Sequence, residues 1–351
     1  VERPTVIDIA RAAGVSLATV DRVLNDRPGV RRQTIDKVRE AVERLGYQRD
    51  LAAADLARRR SYRLAFVLPN GAGEAQSALR RAAREAARAA EKDRTRIEVR
   101  TFPGDDAHAL AAMLTALAAP APNGERLDGV ALNAPETPLA RDAARALRAA
   151  GVAVAAIVSD LPSAERDSFV GVDNLAAGRT AGVLMGRFVG AKGGRVVMAA
   201  DSLLLRESIE RRLGFDGVLA AGFPGVRALP SIEGWGDPAQ TARAIAAQLA
   251  AHPDVEGVYC MGADVAAILA TLRRLRPPER WPVVIAHDLT TTTRRGLESG
   301  EIAAVIAQDF GHIARSAVRT LRALSGGAPV DPAQERIRIE IVIRENLPPE
   351  G

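Results

Sequence analysis

Four polar side chains sit directly behind apolar runs that read as strands. Asn70 follows residues 64–68, Asp160 follows Ile157-Val158-Ser159, Asp288 follows Val284-Ile285-Ala286-His287, and Gln308, with Phe310 beyond it, follows Ala304-Val305-Ile306-Ala307. Carboxylates and amides gathered at one place can accept and donate hydrogen bonds to vicinal hydroxyls, and an aromatic ring packs on an apolar C–H face. Such a set suits a small polyhydroxylated ligand, and discrimination then comes from polar groups that the wrong ligand leaves unpaired. Asp309 and Asn174 have the simpler reading of helix caps.

Catalytic chemistry finds little support in the same stretches. Gly71-Ala72-Gly73 lacks the further glycine of a dinucleotide turn, and Gly190-Ala191-Lys192-Gly193 lacks both the preceding spaced glycine and the hydroxyl of a phosphate loop. No Gly-x-Ser-x-Gly elbow occurs, and His108, His252, His287 and His312 are isolated, with no spacing that suits zinc. His287 and Asp288 are neighbours, and adjacent side chains on an extended strand point to opposite faces. The expectation is a protein that is not an enzyme, with no cofactor and no metal.

A second group of residues lies near the start of the chain. Residues 5–13 place Ile7, Ile9, Ala10 and Ala13 at helical spacing, Gly14 supplies a left-handed stop, and Ser16 caps a second helix with Val20, Val23 and Leu24 inward. Leu17, Ala18, Asp21, Arg22 and Asn25 then face outward. In a helix-turn-helix the first residues of the second helix enter the major groove. There, Arg22 is suited to a bidentate guanine contact, and Leu17 and Ala18 to thymine methyls. A third helix, residues 31–45, stripes Ile35, Val38, Val42 and Leu45 on one side and offers Arg31, Arg32, Lys37 and Arg39 to phosphates.

Residues 15–25, Arg27-Pro28-Gly29-Val30, Leu45-Gly46-Tyr47 and residues 51–58 resemble the lactose-repressor (LacI-type) family of bacterial transcription regulators, and the resemblance extends over the rest of the chain. It implies a DNA-contacting set of Thr5, Ser16, Leu17, Ala18, Thr19, Arg22, Asn25, Tyr47, Ala53 and Leu56. Leu56 matches a leucine that paired hinge helices wedge into the minor groove, a known device for bending DNA. It also implies that Arg211, before Leu213-Gly214-Phe215, and Asp288 bind effector hydroxyls, with Phe310 or Trp235 covering an apolar sugar face. The implied effector set is Asn70, Asp160, Arg211, Trp235, Asp264, Asp288, Gln308 and Phe310. Two departures stand out: Gly262-Ala263-Asp264 replaces a frequent Asn-Asp pair, and Asp21 replaces a frequent serine.

The elements that must position these groups follow from pattern. The 351 residues suffice for two or three domains, and the net charge of +5 is concentrated in residues 1–60, with 13 Lys/Arg against 9 Asp/Glu, where a phosphate backbone is the expected partner. Residues 49–62 form a short basic linker or hinge between a head (1–48) and a core (63–351). Within the core, apolar runs at 64–68, 97–101, 129–133, 152–159, 196–200, 226–230, 257–261, 283–287, 303–307 and 337–343 alternate with amphipathic helices. The fold class is therefore a small all-α helix-turn-helix head plus an α/β core of two Rossmann-like lobes of parallel sheet, as in type I periplasmic binding proteins. In such sheets ligands lie beyond the carboxyl ends of the strands. The single Cys260, the absence of a charged and apolar leader and the lack of any membrane-length apolar run lead to expecting a soluble cytoplasmic protein. The expected partners are double-stranded operator DNA, a sugar or polyol effector and a second copy of the chain in a homodimer, with a tetramer also open and no membrane. A solute-binding protein without regulatory role, or a purine-responsive regulator, is the alternative.

Overall fold

In the computed structural model, α1 (Val6–Ala13) opens on Thr5. The Thr5 side chain accepts from the Asp8 backbone N–H, while the Asp8 carboxylate accepts from the Thr5 backbone N–H at 2.9 Å. This reciprocal box satisfies two donors that a helix start leaves free. Gly14 closes the helix at φ 65°, a conformation glycine adopts without cost. Ser16 then accepts from the Thr19 N–H at 3.2 Å and starts α2 (Leu17–Leu24), and α3 (Arg32–Leu45) follows. Ile9, Ala10, Val20, Val23, Val38 and Ala41 form the buried core of this unit. Ile7, expected inward, is exposed, because two residues apart on a helix is too far round to share a face with Ile9.

The structure describes residues 4–24, 28–45, 61–121, 123–162, 165–331 and 333–349. The chain divides into two units, Val1–Arg60 and Ser61–Gly351. The positions Asn25, Tyr47, Ala53 and Leu56, and nearly all of the 49–62 linker, lie outside the described residues.

The second unit holds two sheets. In chain order its elements are β1 (Tyr62–Pro69), α4 (Glu74–Ala90), β2 (Thr95–Phe102), α5 (Ala107–Ala118), β3 (Gly129–Leu132), α6 (Pro138–Ala149), β4 (Ala153–Ile157), β5 (Ser168–Val170), α7 (Asn174–Val189), β6 (Gly194–Ala200), α8 (Arg206–Gly222), β7 (Val226–Glu233), α9 (Pro238–Ala251), β8 (Val255–Cys260), α10 (Val265–Leu275), β9 (Val283–His287), α11 (Thr291–Ser299), β10 (Ala304–Ala307), α12 (Phe310–Gly326) and β11 (Glu340–Val342). Sheet one runs β2-β1-β3-β4-β5 and sheet two β11-β10-β9-β8-β6-β7. Every pairing is parallel except β10 with β11. Helices cover both faces of each sheet, which explains why the strands read as near-continuous apolar runs.

Two differences from the sequence pattern have physical causes. β5 has only three residues, too few to show periodicity. The apolar run 337–343 reads as one strand, but only Glu340–Val342 pairs in sheet two, antiparallel, while Ile337 packs into the core of sheet one. The chain changes lobes inside that run. α12 likewise returns to the first lobe, burying Ile313, Ala314, Ala317 and Leu321 there. Each lobe thus contains non-consecutive segments, and the carboxyl ends of the strands face one another across the junction.

Candidate functional site

One exposed face of the head is formed by α2. Leu17 (51% exposed), Ala18 and Arg22 lie on it, and Thr19 is half-buried. The Ser16 and Thr19 hydroxyls are 2.9 Å apart, and the Thr5 hydroxyl is taken by Asp8. The cap that starts α2 therefore also sets the direction of the side chains that follow it.

Between the lobes lies a cavity of about 180 Å³. The first lobe contributes residues 71–76, the turn from β1 into α4. The second contributes Asp201 after β6, Gly236, Cys260, Gly262, Asp264, His287, Asp288, Thr290 and Thr292. A larger open depression of about 510 Å³ runs along β5, lined by Phe169, Asp167, Glu335 and Arg336. Its carboxylates are already committed, Asp167 to Arg148 and Glu335 to Arg319, which leaves the smaller interlobe space as the candidate site.

The lobes are bonded beside the cavity. Glu74, at the start of α4, accepts from the Thr292 N–H at 2.9 Å and its hydroxyl at 3.0 Å. Burial raises the Glu74 carboxyl, but the bonds from Thr290 and Thr292 outweigh it and hold the group below its ordinary value. The Glu136 N–H donates to Leu204 O at 3.0 Å and the Arg206 N–H to Ser159 Oγ at 3.2 Å.

Under the cavity the second lobe buries a charged cluster. Arg211 on α8 is 3% exposed, and donates from Nε to Asn174 Oδ1 at 2.9 Å and from Nη1 to Met261 O at 2.7 Å. One turn earlier Glu207 is also buried, its Oε2 without a partner. Burial pushes the Glu207 carboxyl up, and the Arg211 charge opposes this. Asp288 adopts φ 64° and is 7% exposed, and its Oδ1 accepts from Gln308 Nε2 at 3.0 Å, while Gln308 Oε1 has no partner. Burial raises Asp288 as well, opposed by Arg211 and by the Gln308 bond. His287 is hydrogen-bonded to the Tyr259 hydroxyl at 2.7 Å, and burial, then Arg211, lowers its pKa well below the ordinary value. The Cys260 thiol is pushed up to about 12 by burial, which keeps it un-ionised.

The structure brings some of the sequence-derived residues together and separates others. Asp264 and Asp288 line the cavity, and Gln308 and Arg211 support it from behind. Asn70 is exposed beyond β1, and Asp160 is clasped by Arg166; neither lines the cavity. Trp235 is 46% exposed with φ 54°, and Phe310 packs on the core of the first lobe. Asp309 caps α12 as expected, but Asp173 rather than Asn174 caps α7, freeing Asn174 for Arg211. Sequence reasoning missed Asp201, Glu74 and Glu207. Asp201 directly follows a strand, so the rule that selected Asp288 also selects it. Glu207 carries no such signal. Among the described residues no metal-ligating cluster occurs and no helix is long and apolar enough to cross a membrane.

Residues 64–329 match the family model of the periplasmic binding protein domain, and residues 5–50 match that of bacterial regulatory proteins, lacI family. Among curated proteins the chain is similar to catabolite control protein A of Priestia megaterium, 42% identical over 66 residues, which are 19% of this chain and 20% of that protein. It is also similar to the HTH-type transcriptional regulator RegA of Clostridium saccharobutylicum, 44% identical over 63 residues, 18% of this chain and 19% of that one. The matched segment thus spans about a fifth of these relatives. Among solved structures, GanP, a glucose-galactose binding protein from Geobacillus stearothermophilus, superposes with a TM-score of 0.72 at 20% identity, over 82% of this chain and 99% of its own. A solute binding protein from Burkholderia graminis, in complex with D-arabinose, gives 0.70 at 20% identity, over 82% and 96%. At these identities the likeness concerns the fold.

Proposed function

Because the chain belongs to the periplasmic binding protein domain family and carries a lacI-family head, we propose that it is a sequence-specific DNA-binding transcription regulator, a repressor, tuned by a small polyhydroxylated effector. The observation that carries this reading is that one polypeptide holds both a capped helix-turn-helix presenting Leu17, Ala18 and Arg22 and a carboxylate-lined cavity between two lobes. Two heads of a cytoplasmic homodimer read the half-sites of a pseudo-palindromic operator, and Leu56 wedges the centre. Arg22 supplies the guanine contact, and the basic excess of residues 1–60 supplies the phosphate term.

In the core, Asp288 accepts effector hydroxyls while Gln308 holds its carboxylate and the Arg211 charge favours its ionised form, and Asp264 contributes from the start of α10. The ligand closes the lobes and shifts DNA affinity only by its differential affinity for the two states, typically ~1–3 kcal/mol. No catalytic step is involved. A binding protein without regulatory role has no use for the head, so the head decides between the two readings.

The test is a mobility shift on genomic fragments with the full chain and with Arg22→Ala. Retention of a few fragments by the wild type, with altered preference in the variant, supports the proposal. Equal retention of all fragments by both overturns it.

A further inference from the structure

We infer that the interlobe cavity takes a protonated, amine-bearing polyol, an amino sugar or amino alcohol, with its ammonium between Asp201 and Asp264 and its hydroxyls on Asp288. This rests on the reading of the cavity as the effector site and names the charge of the ligand.

The lining carries the carboxylates of Glu74, Asp201, Asp264 and Asp288, and among the described residues no lysine or arginine joins them. Glu74 is satisfied by Thr292. The other three each commit one oxygen within the protein: Asp201 Oδ1 to the Gly236 N–H, Asp264 Oδ1 to the Ala267 N–H, and Asp288 Oδ1 to Gln308. Their second oxygens take no hydrogen bond from the described residues, although Asp288 is 7% exposed. Two cations act on these carboxylates from outside the lining: Arg295 on Glu74, and Arg211 on Asp288, the latter donating to Asn174 and to the Met261 carbonyl and facing the buried Glu207. Negative charge therefore outnumbers positive charge around this space, and hydroxyl donors supply hydrogen bonds without cancelling it. An ammonium supplies both.

Two further features limit the ligand's size and shape, and they weigh on hexoses and hexosamines alike. Among the described residues no Phe, Tyr or Trp lines the cavity, so the stacking that favours a pyranose C–H face is missing. About 180 Å³ is also small; a cavity of roughly 150 Å³ holds benzene, so one ring with few substituents fills it. The two carboxylates also repel each other: burial raises the Asp201 carboxyl above its ordinary value and the neighbouring Asp264 charge adds to this, against the Gly236 bond.

The experiment is titration calorimetry of the full chain against matched pairs that differ only in amine for hydroxyl: D-glucosamine with D-glucose, D-galactosamine with D-galactose, and 2-amino-1,3-propanediol with glycerol. The expected result is that the amine of at least one pair binds roughly tenfold tighter or more, with an affinity that falls as salt is added. Asp201→Asn keeps an acceptor for the Gly236 N–H and should erase the preference. The salt dependence of the wild type tests the same point without a variant. A hydroxyl member that binds as tightly as its amine refutes the ammonium site while leaving the effector cavity in place. If no member of any pair binds although the protein still shifts DNA, the polyol cavity itself is refuted, and this inference with it.

Discussion

Glycines at the contact between α7 and α8 control whether Arg211 reaches its partners. A Cβ at Gly214 would lie 2.2 Å from Leu175 O, and one at Gly178 would lie 2.0 Å from Arg211 O, both backbone atoms of the facing helix. Relieving either clash requires the helices to separate by roughly 1 Å, given ordinary contact distances. Overpacking of this kind costs about 1–3 kcal/mol, against about 1 kcal/mol gained from alanine in a helix interior. Gly217, on α8 with no atom within 4 Å of its Cβ position, gains the propensity without the clash. Gly214→Ala and Gly178→Ala should therefore lower the melting temperature of the full chain by up to about 4 °C, whereas Gly217→Ala should raise it by about 2 °C. The same displacement of α8 stretches the 2.9 Å bond from Arg211 to Asn174 past bonding range, so effector affinity should fall with stability. Melting curves of the three variants decide the matter. A Gly214→Ala protein as stable as Gly217→Ala would refute the close-packing argument and, with it, the explanation of how Arg211 is placed.

Further expected outcomes concern both units. Arg22→Ala should cost roughly 1–3 kcal/mol at one operator position and relax specificity there, as measured by binding to a single-base-substituted operator series. Asp288→Asn, which tolerates the φ of 64° at that position, should remove the thermal stabilisation that an effector at 100 times its Kd gives the wild type, ~2.7 kcal/mol; retained stabilisation would take Asp288 out of the site. His287 is held neutral by burial, so its contribution to stability is present above the unfolded pKa of about 6.5 and is lost as pH falls below it, by up to about 1.4 kcal/mol per pH unit. His287→Gln should flatten that part of the stability profile, and an unchanged slope would assign the acid loss to other groups.

The head was largely legible in the sequence because its signals are local: a capping threonine, a left-handed glycine and a capping serine each act within one turn. The strands of the core were legible because burial on both faces makes them uniformly apolar. The site was less so. Asp288 and Asp264 were singled out because they come after strands, and Asp201 obeys the same rule. Arg211 and Glu207 lie on α8, whose inward face includes Glu207, Ser208, Arg211 and Gly214 beside Phe215 and Leu219, so no apolar stripe marks it. Trp235 and Phe310 illustrate the opposite error. An aromatic beside a strand end suggests a ligand platform, but the turn at φ 54° leaves Trp235 exposed, and the crossover of α12 commits Phe310 to the other lobe.

The central claim is that α2 reads sequence, and selection from a random duplex library by the full chain tests it most directly. After several rounds at moderate salt, a sequence-reading α2 predicts enrichment of one pseudo-palindromic site with two half-sites, and loss of one enriched guanine when the library is selected with Arg22→Ala. Recovery of unenriched sequence, with binding that depends on salt alone, would contradict it.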